Sequence, residues 1–210
     1  MKQMAIKPIL FNTEMVRAIL DGRKTCTRRV VKPTPKYFEV NENPVYIYDA
    51  EPAMGRIYPP CQPGDVLYVR ETWGIYTESW LDADYFMYKA DYPANAATYT
   101  HQDGTICDLP RWRPSIHMPK EAARIWLKVT DVKVERVQEI NEDEAKAEGA
   151  NWKNGKNVGV EEKMRRTAVE RFSEIWDSTI KKSDLDRYGW QANPLVWAIS
   201  FERCEKPEVV

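Results

Sequence analysis

The sequence predicts an α+β domain built on a small, partly closed β-barrel flanked by helices. Three segments carry that expectation. Residues 66–73, 124–134 and 195–201 each alternate in the period-two manner of a half-buried strand. Short amphipathic stretches with helix-capping residues lie between them, and neither an internal repeat nor a low-complexity linker divides the 210 residues. That length can bury one proper hydrophobic core. The whole of 1–210 is therefore read as a single domain with insertions near 33–60, 74–120 and 151–194.

Residues 6–11 read as a strand. Asn12 or Thr13 can cap a helix over 14–20, with Met15, Ile19 and Leu20 as its apolar side. Gly22 stands where a helix-ending glycine belongs, since glycine takes the left-handed conformation freely. Residues 25–31 form the next strand, which Lys32-Pro33-Thr34-Pro35 ends. The proline-dotted stretch 37–60 predicts a surface insertion with a short hairpin. Pro63-Gly64-Asp65 is a turn into the strand 66–73, whose alternation sets Leu67, Val69, Glu71 and Trp73 on one face.

Residues 74–120 are aromatic-rich and expected to be largely irregular, with a strand near 86–89. In the long strand 124–136 the apolar phase changes after Val129, which predicts a bulge near Thr130 or Asp131. A short helix over 141–148 ends at Gly149, and a second over 160–176 carries Met164, Ala168, Phe172, Ile175 and Trp176 at helical spacing. A strand over 195–203 closes the domain.

Composition removes several function classes. Apolar residues make up 43% of the chain and charged ones 30%, which suits a globular protein. The net charge of -1 advertises no nucleic-acid binding through a global field. No apolar run approaches the roughly 20 residues that span a bilayer, and residues 1–11 hold too little apolar sequence for a secretory signal. Cys26, Cys61, Cys107 and Cys204 are scattered, as reduced thiols of a cytoplasmic protein would be. His101 and His117 form no spaced pair and no Cys-x-x-Cys occurs, so no metal is expected. With neither a P-loop nor a dinucleotide glycine fingerprint, no cofactor is expected either.

The stretch Gly22-Arg23-Lys24-Thr25-Cys26-Thr27-Arg28-Arg29 concentrates chemistry at a helix-to-strand junction, where polar side chains converge at the rim of a sheet. Thr25, Thr27 and Arg29 share one strand face, and Cys26 and Arg28 the other. Lys24 reaches the Thr27 side only if it precedes the regular strand. Crowded cations disfavour the ammonium form, and a lysine so lowered can act as general base for a hydroxyl nucleophile. The plainer reading is a helix cap followed by a basic, solvated strand. Placement at a rim also predicts that Lys24→Ala and Thr27→Ala leave the fold nearly unchanged.

Gly22-x-Lys24-x-x-Thr27-x-Arg29 resembles the signature of the ASCH domain family, whose fold is a small PUA-like β-barrel. The order of elements, the Pro63-Gly64-Asp65 turn and the last strand through Trp197-Ala198-Ile199-Ser200-Phe201-Glu202 resemble the family as well. Arg70-Glu71-Thr72-Trp73, the run Pro114-Ser115-Ile116-His117-Met118-Pro119 and Trp190-x-x-Asn193-Pro194-x-Val196-Trp197 look like its larger phage and prophage members. The run Gly22 to Thr27 is similar to that of compact members that hydrolyse N(4)-acetylcytidine. That resemblance implies Thr27 as nucleophile, Lys24 as its base and Glu148 as the acidic partner at the end of a short helix.

Substrate contacts are expected from Arg29, Glu71, Arg70 and Trp73. Glu71 competes with Glu148 for the acidic role, or forms a buried salt bridge to Arg28 or Arg29. Trp73, Tyr88 and Trp112 can stack a base or pack in the core. The expected function is hydrolysis of an acylated cytosine nucleoside, with a small nucleoside or RNA as partner and no membrane. Its rivals are an RNA- or modified-base-binding module, a ribonuclease using Lys24 and Arg29 around a phosphate, and a phage accessory or assembly protein.

Overall fold

The chain begins with β1 (Ile6–Leu10), α1 (Thr13–Leu20) and β2 (Cys26–Val30) in the computed structural model, which describes residues 4–35, 38–42, 45–49, 55–78, 83–100, 104–150 and 167–208. Asn12 caps α1: its side-chain oxygen accepts the Met15 N–H at 2.9 Å, satisfying one donor that the helix start leaves free. The buried side of α1 is Val16, Ala18 and Ile19, while Met15 and Leu20 pack at its margin. Gly22 follows with φ 71°, which only glycine adopts at no steric cost.

Where a short hairpin is expected, β3 (Phe38–Glu42), β4 (Val45–Asp49) and β5 (Arg56–Ile57) form a three-stranded antiparallel sheet. The strand expected over 66–73 is two strands, β6 (Val66–Arg70) and β7 (Trp73–Glu78). Between them the Glu71 N–H donates to Met118 Sδ at 3.2 Å instead of extending a ladder. β7 then turns away to pair with β8 (Ala83–Tyr88). The break also moves Trp73 off the expected face. It packs with Val66, Met118 and Trp126, whereas Leu67 and Val69 lie in the main core. A second hairpin, β9 (Thr98–Thr100) with β10 (Ile106–Asp108), occupies the stretch expected to be irregular.

The long strand β11 (Trp126–Arg136) precedes α2 (Glu142–Ala147), α3 (Ala168–Thr179), α4 (Leu185–Tyr188) and β12 (Leu195–Cys204). Its register against β12 shifts between Val129 and Asp131, at the bulge that the change of apolar phase requires. Asn141 caps α2 and Thr167 caps α3. Residues 160–166 of the expected second helix, Met164 among them, lie outside the described residues.

The central sheet has the order β1-β6-β11-β12-β2, with β1 parallel to β6 and every other pair antiparallel. β1 and β2 are its edges, and no ladder between described residues closes it. A side chain spans the gap instead: Arg29 Nη2 donates to Leu10 O at 2.7 Å. The main core packs Val69, Leu127, Val129 and Ile199 against Ile19 of α1. A second cluster sets Phe172 and Trp176 of α3 against Val137 and Val196. The architecture is thus mixed α+β, with a sheet-rich core. No helix among the described residues is long and apolar enough to cross a membrane.

Candidate functional site

Lys24 sits two residues past Gly22, before β2 begins, so it escapes strict strand alternation. Its N–H donates to Ala18 O at 2.9 Å, which folds the backbone back onto α1. Thr25 N–H donates to Ala147 O at 2.8 Å, and Lys24 and Glu148 form an isolated β-bridge. The motif and the end of α2 are therefore joined by backbone before any side chain acts. Gly149 makes this approach possible. It has φ 89°, and a Cβ there would stand 3.1 Å from Ala18 Cβ and 3.5 Å from Lys24 Cβ.

Lys24 Nζ donates to Glu148 Oε2 at 2.6 Å, Cys26 O at 2.7 Å and Glu148 O at 3.0 Å. Three acceptors take up the three donors of a lysine ammonium. Lys24 is 2% exposed and Glu148 8%. Cation crowding is answered by carboxylates, since Arg28 turns to the same group from the opposite strand face. Its guanidinium reaches Glu135 at 2.6 Å, Glu144 at 2.9 Å and Glu148 Oε1 at 3.4 Å. Burial works against the Arg28 charge, but Glu148 and Glu135 outweigh it and hold the group above its usual value. Arg28, Glu135 and Glu144 were missed by sequence reasoning. Glu144 and Glu148 stand four apart, a spacing that puts two helical side chains within reach of one cation.

Thr27 pairs with Ile199 across β2 and β12, and it is 2% exposed. Its neighbour on that face, Arg29, pairs with Trp197. Lys24 Nζ and the Arg29 guanidinium both lie over the Phe11 ring, at 5.6 and 5.4 Å from its centroid. Burial pulls Arg29 below its usual value, partly offset by Glu148. Cys26 lies on the Arg28 face, and burial followed by the Glu148 charge pushes its thiol up to about 11. Such a thiol is a poor nucleophile at neutral pH.

Lys24 and Glu148 thus meet, and Thr27 lies on the strand beside them, but the rim is not an exposed one. Lys24 and Thr27 are enclosed, so the exposed placement behind the expectation that alanine there spares the fold is absent. Removing one partner of a buried ion pair strands the other charge. A cleft of about 290 Å³ reaches Glu148 from outside, between Met15 and Ala18 of α1 and Arg171 and Ile175 of α3.

The remaining expected residues form a different network. Glu71, 1% exposed, is held by Arg124 in two hydrogen bonds of 2.9 and 3.1 Å, so its salt-bridge partner is neither Arg28 nor Arg29. Burial raises the Glu71 carboxyl above its usual range, although Arg124 opposes the shift. Arg124 also pairs with Asp91 at 2.7 Å and lies 3.9 Å from the Tyr88 ring centroid. The Arg70 guanidinium donates to the carbonyls of Ile116 and Met118, which fastens the 115–118 turn. Trp73 packs edge-on against Phe86 at 5.8 Å beneath Arg113, with no hydrogen-bond partner for its Nε1 among the described residues, and Trp112 packs on Tyr92 at 6.0 Å. These aromatic rings are engaged with the protein's own side chains.

Among the described residues, no three His, Cys, Asp or Glu side chains are grouped to hold a metal ion. Compared with known proteins, the chain matches no family model, no curated protein and no solved structure.

Proposed function

We propose that the chain is an ASCH-type hydrolase that removes an acyl group from the exocyclic amine of a modified cytosine nucleoside. One observation carries the reading. The motif lysine and a glutamate 124 positions later meet as a buried pair at 2.6 Å beside the strand bearing Thr27. The assignment otherwise rests on the motif residues, and it takes the five-stranded sheet as an open form of the PUA-like barrel. On this reading the protein works in the cytoplasm.

Thr27 Oγ1 attacks the amide carbonyl while Lys24 Nζ removes the hydroxyl proton. The C–N bond then breaks, and Lys24 returns the proton to the departing amine. Water cleaves the resulting threonyl ester, releasing the carboxylic acid. The Lys24 ammonium has no lone pair, so it must first pass one proton to Glu148 Oε2, 2.6 Å away, and the neutral amine that remains is the base. Glu148 then binds the amine edge of the base.

Cytidine release from N(4)-acetylcytidine and a panel of longer acyl analogues tests the reading. Thr27→Val, which keeps the side-chain volume, is expected to lower kcat/KM by at least about 10²–10⁴-fold while the thermal transition stays cooperative. Full activity in a folded Thr27→Val protein would remove the threonine mechanism. Absence of turnover on every acylated nucleoside would remove the hydrolase.

A second reading, a module that binds RNA or a modified base without chemistry, is favoured by the three acceptors already surrounding Lys24 Nζ. Tight RNA binding that weakens by orders of magnitude between about 50 and 200 mM salt, with no nucleoside turnover, would select it.

A further inference from the structure

One opening in the fold lies where the central sheet fails to close. Between the edge strands β1 and β2 is a cleft of about 470 Å³, within the roughly 300–1,000 Å³ of small-molecule sites. Its floor is apolar, made by Leu67, Trp197 and Ile199. Its charged lining is Lys7, Arg29 and Lys32, and no acidic residue is among the described residues that line it.

These three cations differ in how far they are neutralised. Lys7 is paired with Asp65 at 2.9 Å. Lys32 lies over the Tyr188 ring at 4.6 Å, a contact that leaves its charge intact. Arg29 donates to one backbone carbonyl, Leu10 O, and no carboxylate among the described residues lies within ion-pair distance of it. A guanidinium carries five donors, and a half-buried one facing a cleft without carboxylates is completed by an oxyanion. Such a pair is charge-assisted and strengthened by the low-dielectric floor. An oxyanion alone would fill a small part of the volume and leave the apolar floor wet. The apolar floor and the Tyr58 ring at the side of the cleft suit an unsaturated ring beside the anion.

We infer that the cleft between β1 and β2 binds a small molecule consisting of a planar, pyrimidine-sized ring with an oxyanion attached, the oxyanion held by Arg29 and Lys32. The anion is a phosphate or a carboxylate, which share this chemistry. Neither Lys24 nor Thr27 lines the cleft, and the binding does not depend on hydrolysis at that pair.

Calorimetry with cytidine 5′-monophosphate, orotate, cytidine and inorganic phosphate tests it, with amide chemical shifts locating the site. At least one of the two ring-bearing anions is expected to bind tenfold or more tightly than both cytidine and inorganic phosphate. Preference for the monophosphate assigns the anion as phosphate, and preference for orotate assigns it as carboxylate. Shifts should centre on residues 7–10, 29–32 and 58–61. Arg29→Gln is expected to weaken the anionic ligand at least tenfold and to leave cytidine unaffected. Lys32 is exposed, so Lys32→Gln keeps the fold and should weaken the same ligand severalfold even if Arg29→Gln does not fold.

The inference is overturned if neither anion outbinds cytidine and phosphate. It is equally overturned if Lys32→Gln and a folded Arg29→Gln both bind as the unmodified protein does, or if the shifts centre on Glu148 and Arg171 instead. Loss of hydrolysis on acylated nucleosides with this binding intact would sink the hydrolase and leave the cleft.

Discussion

Replacing Lys24 with alanine would leave the Glu148 carboxylate buried with, among the described residues, only the 3.4 Å contact from Arg28. Breaking a buried pair from one side costs about 3–5 kcal/mol, so Lys24→Ala should lower stability by that order in urea unfolding. The double variant Lys24→Met/Glu148→Gln should lose less than the sum of the two single changes, because the charge left stranded in each single variant is absent. A coupling of about 0.5–3 kcal/mol is expected. Strict additivity would mean the pair contributes nothing beyond its separate contacts. An activity assay on Lys24→Ala is therefore interpretable only beside an unfolding curve.

Among the elements, the turn before β6 is tied to the β1 segment through one carboxylate. Asp65 accepts from Lys7 Nζ at 2.9 Å, Gln62 N at 3.0 Å and Ala5 N at 3.3 Å. Burial pushes the Asp65 carboxyl up, but these donors together outweigh it and hold the group below its usual value. A depressed folded-state value gives stability that is fully present above the unfolded value of about 3.9 and lost as pH falls through the folded one. Asp65→Asn should therefore lower the melting temperature at pH 7. The deficit should begin to shrink as pH falls below about 4 and vanish only below the depressed folded value, where both proteins carry a neutral group. A deficit that stays constant down to pH 2 would assign the effect to geometry rather than charge.

How much of these elements could be read beforehand follows from the range of the forces that shape them. The α1 cap, the Gly22 turn, the β11 bulge and the β12 strand are local, set by backbone preference and side-chain period, and they lie where the sequence puts them. The split of the 66–73 strand was not legible, because its cause is Met118, 47 residues away. Glu71 was visible as an acid on an apolar face, but nothing nearby in sequence names Arg124 as its partner. Arg28 passed for a solvated strand residue, since its three carboxylates arrive from β11 and α2.

At the scale of the molecule, the four cysteines report on different parts of one core. Cys26 and Cys61 are buried, and burial pushes both thiols up to about 11. Cys107 and Cys204 are half-exposed. At pH 8 a disulfide reagent should therefore label two thiols quickly. The other two should react only at the rate of global opening, since both the thiolate fraction and access are suppressed. Four thiols reacting in one fast phase would contradict the packing of β2 against β12 and of Cys61 beneath the cleft.

Among the described residues the ladder of β2 has a single neighbour, β12, and the Lys24 bond to Glu148 closes a span of 124 residues. A ribosome adds roughly 5–20 residues per second, so β2 waits about ten to thirty seconds of synthesis before its partner strand exists. The most cationic stretch of the chain lacks its sheet throughout that interval, and its carboxylates until β11 and α2 have been made. The candidate site is a late product of the chain's own history, assembled when its last strand is made.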